Sequence, residues 1–304
     1  MESLRITSNH FKHKSRMGPV INGLSIQACY GLLEVFMSMI QHPHQSSLGI
    51  LNMKRAGEKF QLLRVPPSSD LSYFIKHYWI IHWDLTGQEP HLQDVVPNPC
   101  ANLVVQPHRT AFYGVSSTRH SHHLEGRGQV FGIKFRPGGF YPFVKTSMDR
   151  LTDSSVGTME ILRVDPHTLE QQLLTAEEPE QKVRYMEELI RRVLPEEDEQ
   201  IERIHTIIDQ IHHNRDIIRV EQVSEWFQMS PRSLQRLFKQ YIGVSPKWVI
   251  RLYRLQNAAE MLEGLDQQDV LQLAMDMGYY DQSHFIRDFK AVIGKTPEVY
   301  MKER

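Results

Sequence analysis

One helical segment is written twice in the C-terminal region, and a duplication of this kind commits a chain to building the same small unit twice. Leu234-Gln235-Arg236-Leu237-Phe238-Lys239 aligns with Phe285-Ile286-Arg287-Asp288-Phe289-Lys290, Ile242-Gly243 with Ile293-Gly294, and Ser245-Pro246 with Thr296-Pro297, at a constant offset of 289 − 238 = 51 residues. Each copy sets Arg three residues ahead of Lys on one helical face, with a Phe turned inward, so what is repeated is a surface. A repeated surface suits a repetitive ligand. Double-stranded DNA offers its major groove once per turn, roughly 34 Å apart, and two rigidly mounted copies would enter successive turns.

Both copies carry helix start signals. Ser230 followed by Pro231 opens the first, because the Ser oxygen accepts an orphan amide while proline supplies φ where no donor is needed, and Asp281 takes the matching place in the second. Upstream, Val220, Val223 and Phe227 form the core stripe of a short helix. Its counterpart runs from Val270 to Met277 and ends at Gly278, which suits a tight helix-to-helix turn. The pattern predicts two helix-turn-helix units, over about 220–242 and 270–293. Between them Trp248, Leu252, Leu255, Ala259 and Leu262 alternate at spacings of four and three, which predicts one amphipathic strut from Ser245 to a closing Gly264. Ile201, Ile204, Ile208 and Ile211 add a helical stripe that seals the first unit's core.

These motifs, with Arg254-Leu255, Ala258 and the run Met277-Gly278-Tyr279-Tyr280-Asp281-Gln282-Ser283-His284-Phe285, resemble the DNA-binding domain of the AraC/XylS family of bacterial transcription regulators over residues 200–304. The resemblance implies sequence-specific binding to double-stranded DNA. In the first unit Ser224 replaces the family's usual small alanine and Gln228 stands where a turn glycine is expected, which bears on the angle between those two helices. With Leu234, Leu237, Phe238 and Tyr241 inward, helix geometry leaves Arg232, Ser233, Gln235, Arg236 and Lys239 outward; around Phe285 and Phe289 it leaves Gln282, Ser283, His284, Arg287 and Lys290. Gln235 and Arg236 suit base readout, and Lys239 and Lys290, nearer the helix ends, suit phosphates.

Charge supports this locally. Arg232, Arg236, Lys239, Lys247, Arg251 and Arg254 are six basic residues in a stretch with no acidic one, whereas the whole chain has a formal net charge of −1. Binding through few phosphates should be salt-sensitive. The two cysteines, Cys29 and Cys100, support neither a disulfide framework nor a cysteine zinc site, and point to a reducing cytoplasm. DNA repair proteins that share this DNA-binding domain need a cysteine cluster, which two residues do not provide.

At 304 residues and 40% hydrophobic content the chain can hold two globular domains with connectors. Residues 1–52 are treated as an extension outside the fold, with Met53 as the start of the patterned region. The run from Val20 to Ile40 is interrupted by Asn22, Gln27 and Glu34 and is not assigned to a membrane. Residues 53–160 are expected to form a β-rich sensor or dimerisation domain. Tyr73 to Asp84 alternates, with Trp79, Ile81 and Trp83 on one face, and further strands follow at Asn102–Gln106, Thr110–Val115 and Gln129–Arg136. This part resembles the β-barrel sensor domains of the same family, including a subgroup with a turn like Pro137-Gly138-Gly139-Phe140. Trp79, Trp83 and Tyr113 are aromatic candidates for a pocket or for core, and no effector-binding residue is fixed by sequence.

Gly114, His120-Ser121-His122 and Glu125 partly imitate a cupin metal motif, but Glu125 comes one residue early and no closing histidine follows, so the histidines read as a polar hairpin. No metal, cofactor or catalytic residue is expected. Residues 161–199 form a helical connector, serving as a dimer contact or packing onto the chain's own barrel, and an acidic linker, Glu196-Glu197-Asp198-Glu199. The expected architecture is multidomain α and β: a cupin-like β-barrel or half-barrel, a helical connector, and an all-α domain with two helix-turn-helix units joined by a long helix. The expected protein is a cytoplasmic, non-enzymatic transcription regulator modulated by a small molecule in the barrel. RNA polymerase and a second copy of the chain are candidate partners. The rival readings are a metal-dependent cupin-like enzyme fused to a DNA-binding domain and an effector-independent DNA-binding protein.

Overall fold

The computed structural model describes residue 57, residues 59–262 and residues 270–302. The extension assigned to 1–52, with its Val20–Ile40 run, and the closing Gly264 lie outside the described residues. The N-terminal region is an antiparallel sheet of six strands in the order β1-β2-β7-β4-β5-β8, with a separate pair β3-β6. The strands are β1 Gln61–Val65, β2 Ile75–Asp84, β3 His91–Val95, β4 Asn102–Val105, β5 Ala111–Tyr113, β6 His120–Leu124, β7 Arg127–Phe135 and β8 Ser155–Val156.

Alternation along β2 and β7 produces two different faces. Tyr78, Ile80, Phe131, Ile133, Leu103 and Val105 are buried in the main core. Helices α1 Tyr141–Val144, α2 Thr158–Leu162, α3 Pro166–Thr175 and α4 Pro179–Arg191 follow. Leu169 and Leu173 of α3 and Val183, Met186, Leu189 and Ile190 of α4 join that same core. Lys182 Nζ donates to Gln129 Oε1 at 2.6 Å, and Arg191 pairs with Asp70 at 2.7 Å. Of the two roles open to the connector, its apolar stripe therefore packs onto the chain's own sheet.

The opposite face of the sheet carries the indoles. Trp79 pairs in register with Gly132 and Trp83 with Gly128, and a Cβ at either glycine would overlap the ring. The glycines are bare so that the indoles can lie flat on β7.

The C-terminal region is helical: α5 Glu199–His213, α6 Val220–Trp226, α7 Pro231–Tyr241, α8 Pro246–Leu262, α9 Val270–Asp276, α10 Gln282–Ile293 and α11 Pro297–Lys302. The isoleucines of α5 and Leu234, Leu237 and Phe238 of α7 belong to the same apolar core as the sheet. Phe285, Phe289, Leu273 and Tyr300 form a second core with Leu252, Leu255 and Leu262 of α8. One face of the strut thus carries the whole second unit.

Candidate functional site

Helices α7 and α10 each start as their sequence signals predict. Ser230 Oγ accepts from Ser233 N at 3.1 Å, and Asp281 Oδ1 accepts from His284 N at 2.8 Å. Leu234, Leu237, Phe238 and Tyr241 are buried, and Arg232, Gln235, Arg236 and Lys239 are exposed on α7; Ser233 is half-buried, its hydroxyl accepting from Ser230 at 2.9 Å. On α10, Phe285 and Phe289 are buried while Gln282, Ser283, His284, Arg287 and Lys290 are exposed.

The outward residues differ in how free they are. Among the described residues, Arg232, Arg236, Arg287 and Lys290 have no ion-pair partner, so their charges are available to a ligand. Lys239 Nζ lies 3.1 Å from Asp149 Oδ2, in a short 3-10 turn at Met148–Arg150. His284 Nε2 lies 3.5 Å from Asp288 Oδ2, which also accepts from Tyr279 Oη at 3.1 Å. Arg251 on the strut approaches the same carboxylate at 3.8 Å.

The strut fixes the second unit through Arg254. Its guanidinium donates to the Met277 carbonyl and sits 4.8 Å from the centre of the Tyr279 ring. The two turns close alike: Met229 N donates to Ser224 O at 2.9 Å, and Tyr279 N to Ala274 O at 3.0 Å. The left-handed residue is Gln228 in the first, φ 49, and Gly278 in the second, φ 73.

A cavity of about 580 Å³ opens on the indole face of the sheet, lined by Trp79, Trp83 and Tyr113 together with residues of β3 and β6. The three aromatic candidates therefore line a chamber. His120 and His122 also line it, with ring centres 5.0 Å apart, and burial pushes both imidazoles below their usual pKa. The predicted polar hairpin is in fact strand β6, paired with β3. Glu125 is exposed and lies 4.0 Å from His123. No group of three His, Cys, Asp or Glu gathers into a metal-binding set among the described residues.

The walls of this chamber touch the helical C-terminal region directly. Pro97 O accepts from Gln256 Nε2 at 3.2 Å, and Val96 is part of the second unit's core. Ser117 O accepts from Trp248 Nε1 at 3.1 Å, while Ser117 N donates to Asp153 Oδ1 of the lining at 2.7 Å. Thr152 Oγ1 donates to Gly243 O at 2.8 Å just past α7, and Arg119 packs against Gly294 at the end of α10. Sequence reasoning missed these contacts because loop residues such as Pro97 and Ser117 carry no periodic signal.

Comparison with known proteins follows the same division. Residues 63–157 match a domain of unknown function (DUF6597), and residues 223–303 match a family described as a helix-turn-helix domain. The chain is similar to an uncharacterized HTH-type transcriptional regulator of Haemophilus influenzae, at 39% identity over 83 residues, covering 27% of this chain and 28% of the relative. It is similar to the XylDLEGF operon transcriptional activator 1 of Pseudomonas putida, at 29% over 89 residues, covering 29% and 27%. It is also similar to the HTH-type transcriptional activator RhaS of Escherichia fergusonii, at 28% over 153 residues, covering 44% and 55%. The chain thus spans between about a quarter and a little over half of these relatives' length. No helix among the described residues is long and apolar enough to cross a membrane. Two capped helices on one strut, matched in sequence to parts of transcriptional activators, make the C-terminal region of this chain a helix-turn-helix domain similar to theirs.

Proposed function

We propose that this chain is a cytoplasmic, sequence-specific transcription regulator that reads two successive stretches of major groove with α7 and α10 and responds to a small molecule in its N-terminal cavity. The observation that carries the reading is the pair of exposed arginines, Arg236 and Arg287, at matching places on two helices joined by one strut. Gln235 and Arg236 pair with base edges, as do Gln282 and Arg287; Arg232, Lys239 and Lys290 neutralise phosphates, and Ser233, Ser283 and His284 contact the backbone at the helix starts. No catalytic role is assigned.

The cavity wall supplies a route for control. A ligand that shifts the Val96–Pro97 segment or Ser117 displaces groups hydrogen-bonded to Gln256 and Trp248 of the strut. It thereby acts on both reading helices at once, through differential affinity for two arrangements. A second copy of the chain and RNA polymerase complete the proposed set of partners.

The test is selection of bound sites from random duplex DNA with the full chain. Two short preferred blocks about one helical turn apart are expected. Absence of enrichment at low salt refutes the regulator reading.

A further inference from the structure

The chamber has a feature that a simple apolar pocket lacks. Lys134 lies in the middle of β7, only 6% exposed, and lines the cavity. In register beside it stand His77 on β2 and Asn102 on β4, and Arg64 on the neighbouring β1 lines the same wall. Among the described residues, none of Lys134, His77 and Arg64 has an ion-pair partner. The one carboxylate in the lining, Asp153, is engaged by Ser117 N and Oγ at 2.7 and 2.6 Å.

A buried amine without a counter-ion is a costly arrangement. Burial holds the Lys134 ammonium down to about 8, with Lys76 and Arg64 adding repulsion, and drives the His77 imidazole to about 3. A bound anion would reverse both effects by supplying the missing negative charge. Next to these cations the wall changes character: Trp79, Ile81 and Trp83 form a flat apolar surface. A cationic ligand would be repelled, and a fully polar one would leave the indoles uncovered.

We propose that the cavity is a site for a small organic carboxylate, its head group seated at Lys134, His77 and Arg64 and its apolar body lying along Trp79, Ile81 and Trp83. This rests on the reading of the cavity as an effector site. The volume of about 580 Å³ lies within the range of small-molecule pockets and accommodates a head group together with a ring or short chain.

The experiment is thermal unfolding and titration calorimetry of the full chain with phenylacetate, 4-phenylbutyrate and octanoate, each beside its uncharged primary amide. The acids are expected to raise the unfolding temperature in proportion to occupancy, and the amides to leave it unchanged. Lys134→Met should weaken acid binding by about tenfold or more while raising the ligand-free unfolding temperature. Arg64→Gln, at a half-buried position on the edge strand, repeats the affinity test if the Lys134 variant does not fold. Amides that bind as well as their acids would overturn the anion assignment and keep a cavity ligand. No response to any acid or amide would overturn the assignment together with the effector half of the functional reading. Site selection on duplex DNA with the same protein reports independently on the regulator half.

Discussion

In the second helix-turn-helix unit the turn residue is Gly278 and the residue four before it is Ala274, packed at 1% exposure; in the first, those places hold Gln228 and Ser224, whose buried hydroxyl has no hydrogen-bond partner among the described residues. A left-handed backbone at a residue with a Cβ and an orphaned hydroxyl both cost free energy, yet both turns close with the same backbone bond. The difference lies in what surrounds them. The first unit shares its core with the N-terminal sheet, while the second has a separate core on the strut, to which the N-terminal region contributes only Val96 among the described residues. Support from a neighbouring domain lets the first unit tolerate local strain. The second, with less around it, keeps the small residues at both places. Spacing differs as well: 278 − 228 = 50 but 281 − 230 = 51, so the second turn is one residue longer, and its extra residue, Tyr280, is 97% exposed beside the start of α10.

The sharpest way to break this contrast is to remove a buried ring from each unit. Phe238→Ala and Phe289→Ala should each cost about 3–5 kcal/mol. Hydrogen exchange should show the first destabilising the N-terminal sheet as well as α7, and the second freeing only amides of α9 to α11. Equal spread from both would dissolve the distinction.

Acid should separate the same two regions. His77 and His205 both belong with the first unit's side of the molecule, and burial holds their folded-state pKa at about 3 and about 4, against an ordinary 6.5. Between pH 6.5 and those values the unfolded chain binds protons that the folded chain refuses, so stability falls as pH drops through that window. Protection of β2 and α5 should be lost ahead of that of α10, and exchange rates measured from pH 7 to 4 would check the order.

Arg236→Ala and Arg287→Ala compare the units as readers. Each should cost about 1–3 kcal/mol of DNA affinity and relax preference at one base position in its own block. A uniform loss on all sequences would move that arginine to the phosphates. Smaller effects should appear in the first turn, where Gln228→Gly is expected to stabilise by about 0.5–1 kcal/mol, whereas Gly278→Ala should destabilise through its positive φ and the nearby Ile218 side chain. Last, Asp149→Asn should raise DNA affinity by no more than about 1 kcal/mol, because the pair it forms with Lys239 is exposed. Titration at several salt concentrations would reveal it.

The helical C-terminal half was legible because its signals are local. Caps at Ser230 and Asp281, inward rings every third or fourth residue and the constant offset all report on helices that the structure contains. The cavity was only half legible. Alternation placed Trp79, Ile81 and Trp83 on one face, but strand periodicity does not distinguish a face turned to bulk solvent from one turned to a cavity. Lys134 in Phe131-Gly132-Ile133-Lys134-Phe135 reads as an ordinary outward charge until β3 and β6 are seen to close over it. Strand β6, His120–Leu124, lacked an apolar alternation altogether, since its first four residues are polar.

Gly132 and Gly128, bare beneath Trp79 and Trp83, give the chamber a floor whose height is set by two small positions. Any side chain introduced there must lift an indole into the empty space. In the proposed effector site, ligand size would therefore be adjustable at residues that no ligand touches, and the cavity could be retuned toward smaller molecules while Lys134, His77 and Arg64 stay in place.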